Sequence, residues 1–302
     1  MQDYMITHYY HSGFSVSCEK TILIFDYWRG ENGELEESLQ LTPERLARFE
    51  RIYVFISHDH IDHMDPVVFT WKDLPGIQYI VASDMPVGTR GRRMAPGDVI
   101  VFSDEVKVSA FDSTDPGVSF LVDFRGLQLF HAGDLNFWHW RDESSMKEIE
   151  EADEEFRKAL APIGSHSVDI AFFPLDPRQG TMFEAGANFF ILSIKPRILI
   201  PMHYFHRAEV AMEYARTASC RGTEVIAMPG YGDRLGVEMD EEGYLNLYLP
   251  EPEPEPAAGK EEEVLLAEDD PFLESDLPLA QLAENTEEET REKTEETPPP
   301  EA

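Results

Sequence analysis

Short apolar runs separated by polar turns set the rhythm of the first 250 residues. Segments 5–10, 14–17 and 21–26 are rich in β-branched and aromatic residues and predict three consecutive strands, with a turn near Glu19–Lys20. Thr42-Pro43-Glu44 has the marks of a helix start: a hydroxyl cap, a proline in the first turn and an early carboxylate. The run Arg51-Ile-Tyr-Val-Phe-Ile-Ser57 reads as a strand buried on both faces and ends directly at His58. Segments 118–124 and 127–131 flank Arg125-Gly126 as a hairpin, and a polar helix is expected over 144–160. Strands at 169–173, 197–202 and 224–228 are then separated by helices near 183–194 and 207–219. A meander followed by strand–helix alternation predicts a mixed sheet system with helices outside, and no internal repeat points to a solenoid or propeller.

The pattern breaks after Pro250. Glu251-Pro-Glu-Pro-Glu-Pro is charged and extended, and 286–302 is almost wholly Glu, Thr, Lys, Arg and Pro, a composition that cannot bury enough apolar area to offset ordering entropy. The chain therefore divides into a folded body, 1–250, and an acidic low-complexity tail, 251–302, expected to be disordered. Val264-Leu-Leu266, Pro271-Phe-Leu273 and nearby leucines leave open a second reading, in which the tail docks on a protein partner.

The formal charge of −34 over 302 residues sharpens this division, because 251–302 carries 19 acidic and 3 basic residues. The body is acidic too, which argues against nucleic acid as a partner, since phosphate backbones require basic surface. A basic cluster at Arg90, Arg92 and Arg93 reads as a solvated loop or as a site for an anionic substrate group. No apolar stretch is long enough for a membrane span, and the first residues carry no secretory pattern. Cys18 and Cys220 cannot build a disulfide framework, so a cytoplasmic protein with reduced thiols is expected.

The strongest chemical signal is Ser57-His58-Asp59-His60-Ile61-Asp62-His63 at the end of the buried strand. Imidazole and carboxylate suit borderline metals such as zinc, iron or manganese. Three histidines and an aspartate this close would compete for the same few donors, and any protonated rings would repel one another, unless an ion held them.

His-x-His-x-Asp-His after a hydrophobic strand resembles the signature of the metallo-β-lactamase superfamily, over roughly residues 4–250. The resemblance implies an α+β/α/β chain folded as a four-layer αβ/βα sandwich with a dinuclear site at one edge. It implies that His58 and His60 hold one metal, and Asp62 and His63 the other. Leu129-Phe-His-Ala-Gly133-Asp134 is similar to the element whose aspartate bridges the pair, and a bridging carboxylate would neutralise charge between cations about 3.5–4 Å apart. Ile198–Tyr204 resembles the last strand of the family and makes His203 the final ligand; a core histidine is the alternative. Asp26 matches an aspartate that supports a ligand histidine, or else it is a turn residue. His11-Ser-Gly-Phe14 resembles a pocket element of the branch near ascorbate-6-phosphate lactonase, where His11 would contact substrate, the alternative being a buried strand histidine. His131 is read as supporting the site, and Phe137-Trp-His-Trp140 as a core plug or a pocket wall.

One departure stands out. Most members of the superfamily supply a further histidine to the first metal, and the corresponding stretch here, 108–118, has none. Asp112, Asp115 or His139 would substitute, with Asp112 slightly favoured, or that site is weak or empty. The expected activity is metal-assisted hydrolysis of an ester, lactone, amide or phosphodiester in a small-molecule substrate. Two divalent ions, zinc or else manganese or iron, would activate water, with Asp62 and Asp134 in catalytic positions. The alternatives are an iron-dependent redox enzyme and a non-catalytic binding or regulatory protein of the same fold.

Overall fold

In the computed structural model, which describes residues 1–218 and 222–251, strands pair into two mixed sheets that pack face to face. The chain begins with β1 (Gln2–His8), β2 (Phe14–Cys18), β3 (Thr21–Phe25), the short helix α1 (Pro43–Leu46), β4 (Arg51–Ile56), β5 (Ile77–Ala82) and β6 (Arg92–Met94). These form one sheet in the order β15-β14-β1-β2-β3-β4-β5-β6, completed by β14 (Arg234–Met239) and β15 (Leu245–Tyr248). The second sheet runs β13-β12-β11-β10-β9-β8-β7. Its strands are β7 (Val99–Ser103), β8 (Val106–Phe111), β9 (Ser119–Phe124), β10 (Leu127–His131), β11 (Ile170–Pro174), β12 (Ile198–Met202) and β13 (Glu224–Val225). Helices α2 (Met146–Leu160), α3 (Ala185–Ile194) and α4 (Ala208–Thr217) lie between strands of its parallel half.

Each sheet has an antiparallel half and a parallel half. β3 through β6 are parallel in the first, β10 through β13 in the second. Parallel strands are buried on both faces, and β3, β11 and β12 are buried along their whole lengths, as is β4 after Arg51. Phe14, Phe25, Phe55, Phe120, Phe130 and Phe172 are among the fully buried side chains of the core between the sheets. Ligand-bearing loops in such sheets lie outside the carboxyl ends of the strands. Here β3, β4, β10, β11 and β12 end respectively at Asp26, Ser57-His58, Ala132-Gly133-Asp134, Leu175-Asp176 and His203.

Local chemistry explains the boundaries. Thr42 caps α1 by accepting the Arg45 amide at 3.4 Å. Ser145 and Glu148 form a reciprocal capping box on α2. Arg125-Gly126 turns the β9–β10 hairpin with both residues at positive φ. The segment around Arg92 and Arg93 is an edge strand and not a loop: Arg93 donates to the carbonyls of Ser83, Met85 and Pro86, so its charge is spent on backbone. His11, one reading of which placed it in a strand, sits in the turn between β1 and β2 at φ 56°. The acidic tail and Cys220 lie outside the described residues. Among the described residues no helix is long and apolar enough to cross a membrane.

Candidate metal centre

The strand β4 delivers the His-rich segment to a single helical turn, in which the His60 carbonyl accepts the amides of His63 and Met64 at 3.1 Å. Asp65 clamps the far end of this turn by ion-pairing with Arg29 at 2.7 Å and capping the next turn at Val67. Two glycines press on its near end. A Cβ on Gly133, at φ 55°, would stand 2.8 Å from the Ser57 Cβ. On Gly117, at φ 97°, it would stand 2.6 Å from the His58 Cβ and collide with the Ser57 carbonyl. Two loops of the second sheet are thereby drawn against Ser57–His58 of the first.

Among the described residues two groups of side chains bring one donor atom each to within 4.8 Å of one another: His11, Asp62, His63 and His203, and His58, His60 and Asp134. We call them the deep group and the rim group. Asp134 faces both. Its Oδ1 is 2.9 Å from His63 Nε2 and 3.2 Å from His203 Nε2, while its Oδ2 is 3.4 Å from His58 Nε2 and 3.9 Å from His60 Nδ1. In the deep group, Asp62 Oδ2 lies 3.3 Å from His11 Nε2 and 3.9 Å from His203 Nε2.

The rings are aimed from behind. Asp26 Oδ2 accepts from His63 Nδ1 at 2.8 Å and from the Ser57 hydroxyl at 2.6 Å, and Oδ1 takes the Ser57 amide at 2.8 Å. Because the Ser57 hydroxyl donates to Asp26, its oxygen is left to accept from His58 Nδ1, 2.9 Å away. In the neutral rings Nε2 of both His58 and His63 is therefore the lone-pair nitrogen. His203 Nδ1 lies 3.1 Å from Asp176 Oδ2, and Asp176 is gripped by Arg178. Asp26, His11 and His203 all adopt left-handed backbone (φ 41°, 56° and 66°), a costly conformation for non-glycine residues that the surrounding packing must enforce.

The electrostatics show how closely these groups interact. Burial opposes charge on Asp134, yet His63 and His203 hold its carboxyl well below the usual range. Burial likewise opposes protonation of His63 and His203, but Asp134, helped by Asp26 and Asp176, raises both, His203 to about 9. His11 is pushed down to about 3 by burial and by the neighbouring His203.

The residues fit a bound cation. His11 Nε2, His63 Nε2, His203 Nε2 and Asp134 Oδ1 are buried and make no aligned hydrogen bond, although they crowd together. Convergent lone pairs without hydrogens between them are what a metal ion satisfies.

The other sequence candidates separate clearly. His131 accepts the Gly133 amide at Nδ1 and faces the Ser12 carbonyl with Nε2 at 2.9 Å, so both nitrogens serve backbone. His139 is committed in the same way: Nδ1 accepts the Arg141 amide and Nε2 meets the Met182 carbonyl, each at 3.0 Å, leaving no lone pair for a metal. Asp112 is exposed and binds its neighbour's amide, outside both groups. Asp115 instead borders a cavity of about 450 Å³ that opens on the rim group. Burial, with Asp134 facing it, raises the Asp115 carboxyl, and His60 and His58 partly offset this. Trp138 and Trp140 line the same cavity, while Phe137 stacks against Phe156 on the core side. The aromatic run is thus split between wall and core. Arg178, and not the Arg90–Arg93 segment, supplies the cavity's positive charge. Sequence reasoning passed over Ser57, Asp176 and Arg178. The available signal for Asp176 was its place just beyond a buried strand, as with Asp26 and Asp134.

No protein-family model matches the chain. It is similar to a UPF0173 metal-dependent hydrolase of Pyrobaculum neutrophilum, at 26% identity over 207 residues, covering 64% of this chain and 81% of that protein. A UPF0173 metal-dependent hydrolase of Thermococcus onnurineus is 24% identical over 241 residues, covering 73% and 94% respectively. Among solved structures, Igni18, a metallo hydrolase from Ignicoccus hospitalis, superimposes with a TM-score of 0.58 at 16% identity, over 79% of this chain and all of that one. The metallo-β-lactamase fold protein YhfI from Bacillus subtilis gives 0.51 at 12% identity, over 78% and 99%. The chain has the metallo-β-lactamase fold.

Proposed function

We propose that this metallo-β-lactamase-fold chain is a metal-dependent hydrolase whose deep and rim groups each take one divalent ion, with Asp134 between them. The observation that carries the proposal is the division of Asp134, one oxygen toward each group: Oδ1 meets the buried Nε2 atoms of His63 and His203, which make no aligned hydrogen bond, and Oδ2 meets His58 and His60, whose Nε2 and Nδ1 lie 3.0 Å apart. His11, Asp62, His63 and His203 would hold one ion, and His58 and His60 the other. A donor set of imidazole and carboxylate without thiolate fits zinc, and manganese or iron as well.

When bound, such ions supply Lewis acidity toward a carbonyl or phosphoryl oxygen and make water acidic enough to act as a nucleophile near neutral pH. The chain's own residues do the rest. Asp26 and Ser57 hold His58 and His63 in the tautomer that presents Nε2, and the charge of Asp176, 3.1 Å from His203 Nδ1, favours the same tautomer there. Asp62 keeps one carboxylate oxygen beside His11 at the cavity wall, where it is placed to accept a proton from a nucleophilic water. A cavity of this size takes a small molecule, such as an ester, lactone, amide or phosphodiester.

Elemental analysis of full-length protein purified without chelator, followed by a screen of generic substrates of these four kinds, tests the reading. The expected result is two ions per chain and turnover that is lost on chelation and restored by metal. The same ligand set favours a second reading, in which iron performs redox chemistry, and an iron-dependent absorbance spectrum without hydrolysis would support it. A chain that retains no metal would instead be a binding or regulatory protein.

A further inference from the structure

We propose that Arg178 anchors an anionic group of the substrate, a carboxylate or a phosphate carried away from the bond that is cleaved. The proposal rests on the hydrolase reading for its substrate but on its own observations for the site. Among the described residues that line the cavity Arg178 is the one Lys or Arg, and Asp62, Asp115 and Asp134 contribute negative charge. A guanidinium against such a wall needs either a purely structural use or a ligand.

Its structural use accounts for only part of it. Nε lies 3.0 and 2.9 Å from the two oxygens of Asp176, and Nη2 lies 2.6 Å from Oδ2. One face of the guanidinium covers the Phe205 ring, 4.4 Å from its centre. Asp176 and Phe205 fix the plane, yet Nη1 makes no hydrogen bond to any described residue, and about half of the side chain, 52%, is in solvent. A planar fork held rigid on one edge and open on the other suits a carboxylate or phosphate oxygen, and the ordering cost has already been met by the fold.

Two tryptophans of the same cavity define the rest of the ligand. Trp138 and Trp140 stack nearly parallel, 14° apart, and the Trp138 ring is locked by a 2.8 Å bond from Nε1 to the Asp134 carbonyl. Trp138 therefore moves with the metal-facing loop. The substrate class that fits is a small anion with an apolar or ring-bearing body, the body against the tryptophans and the anion on Arg178.

The test compares metal-loaded full-length protein with R178Q and R178K. Two 4-nitrophenyl esters of equal length, one ending in a carboxylate and one in a methyl group, measure the preference for charge. The ratio of kcat/KM, charged over neutral, is expected to fall roughly ten- to hundredfold in R178Q and less in R178K. Calorimetric titration with glutarate and, separately, with inorganic phosphate reads binding without turnover, so it decides the matter even if neither ester is cleaved. Weakened glutarate binding alone identifies a carboxylate substrate; weakened phosphate binding alone identifies a phosphate. Elemental analysis of each variant checks that metal content is retained. Unchanged binding of both anions in R178Q overturns the proposal, as does a loss of metal equal to the loss of binding, which would show Arg178 to act only through Asp176 and His203.

Discussion

His63 and His203 are shut off from solvent and each has Nδ1 against a buried carboxylate, Asp26 or Asp176, whereas His60 leaves 47% of its side chain in solvent with no carboxylate behind it. The deep group gathers four donors, the rim group three, one of which it shares. Carboxylates behind ligand histidines fix the ring and raise its basicity, so the deep group has the features of a strong site and the rim group those of a weaker one. The contrast follows from topology. Deep donors come from three separate places, the β1–β2 turn, the turn after β4 and the end of β12, with Asp134 at the end of β10 facing them, and are locked by both sheets. His60 hangs on one turn at the cavity mouth.

The largest expected effect tests what the groups share. Asp134→Asn replaces one oxygen of a carboxylate that faces both groups, so both should weaken together. Metal affinity should fall by more than about a hundredfold, beyond the 10–100-fold typical when only a residue behind a ligand is lost. Hydrolysis should drop to background while the circular dichroism spectrum stays that of the parent. Unchanged stoichiometry in this variant would separate the two groups and remove the bridge from the proposal.

Asp176→Asn should act on one group only. The amide keeps the shape but removes the negative charge facing His203 Nδ1, so the deep group should lose about 10–100-fold in affinity. The expected signature in a titration of metal-free protein is the collapse of two binding steps into one, because the tighter step moves toward the weaker. If the parent already shows a single step, the comparison between the groups is wrong.

How much of this was legible in the sequence follows from what each residue does. A buried strand ending in His58 is visible because its apolar run and its candidate ligands are contiguous, and the same holds for Asp134 and His203. Strands β5, β7, β8, β14 and β15 were not separately placed; β7 and β15 are sheet-edge strands with no buried position to mark them, and β14 takes one of its partners, β1, from the far end of the body. β6 was read as a loop because glycine and proline surround its arginines, yet Arg93 is there to bind carbonyls. Asp26 was read with its role open between turn and support, and in the structure it is both: a left-handed turn residue and the acceptor for His63 and Ser57. Asp176 was missed because its place just beyond a buried strand does not say which histidine it meets, and only the parallel pairing of β11 with β12 brings it to His203; nothing local marks Arg178.

The gap left by the absent histidine yields a smaller, sharper test. Asp115 borders the cavity beside His60, and Asp112 is exposed and turned to backbone. Asp115→Ala should therefore weaken the rim group severalfold while the deep group is spared. Asp112→Ala should leave both affinities within error. The reverse pattern, measured by the same titration, would mean that the 112–117 loop rearranges when metal enters.

The smallest effect on metal is expected from His139→Ala, and its value lies in separating a buried histidine that holds the fold from those that face an ion. Both nitrogens of His139 are occupied, Nδ1 by the Arg141 amide and Nε2 by the Met182 carbonyl, and its ring packs edge-on to Phe137 at 5.0 Å. Truncation leaves a backbone donor and acceptor without their partner, which costs roughly 1–3 kcal/mol for each group that water cannot reach. The variant should melt several degrees lower and still bind metal in two steps at the parent's concentrations. Should it instead lose the weaker step while melting like the parent, His139 would be released from the backbone to complete the rim group, and the shortage of donors there would be only apparent.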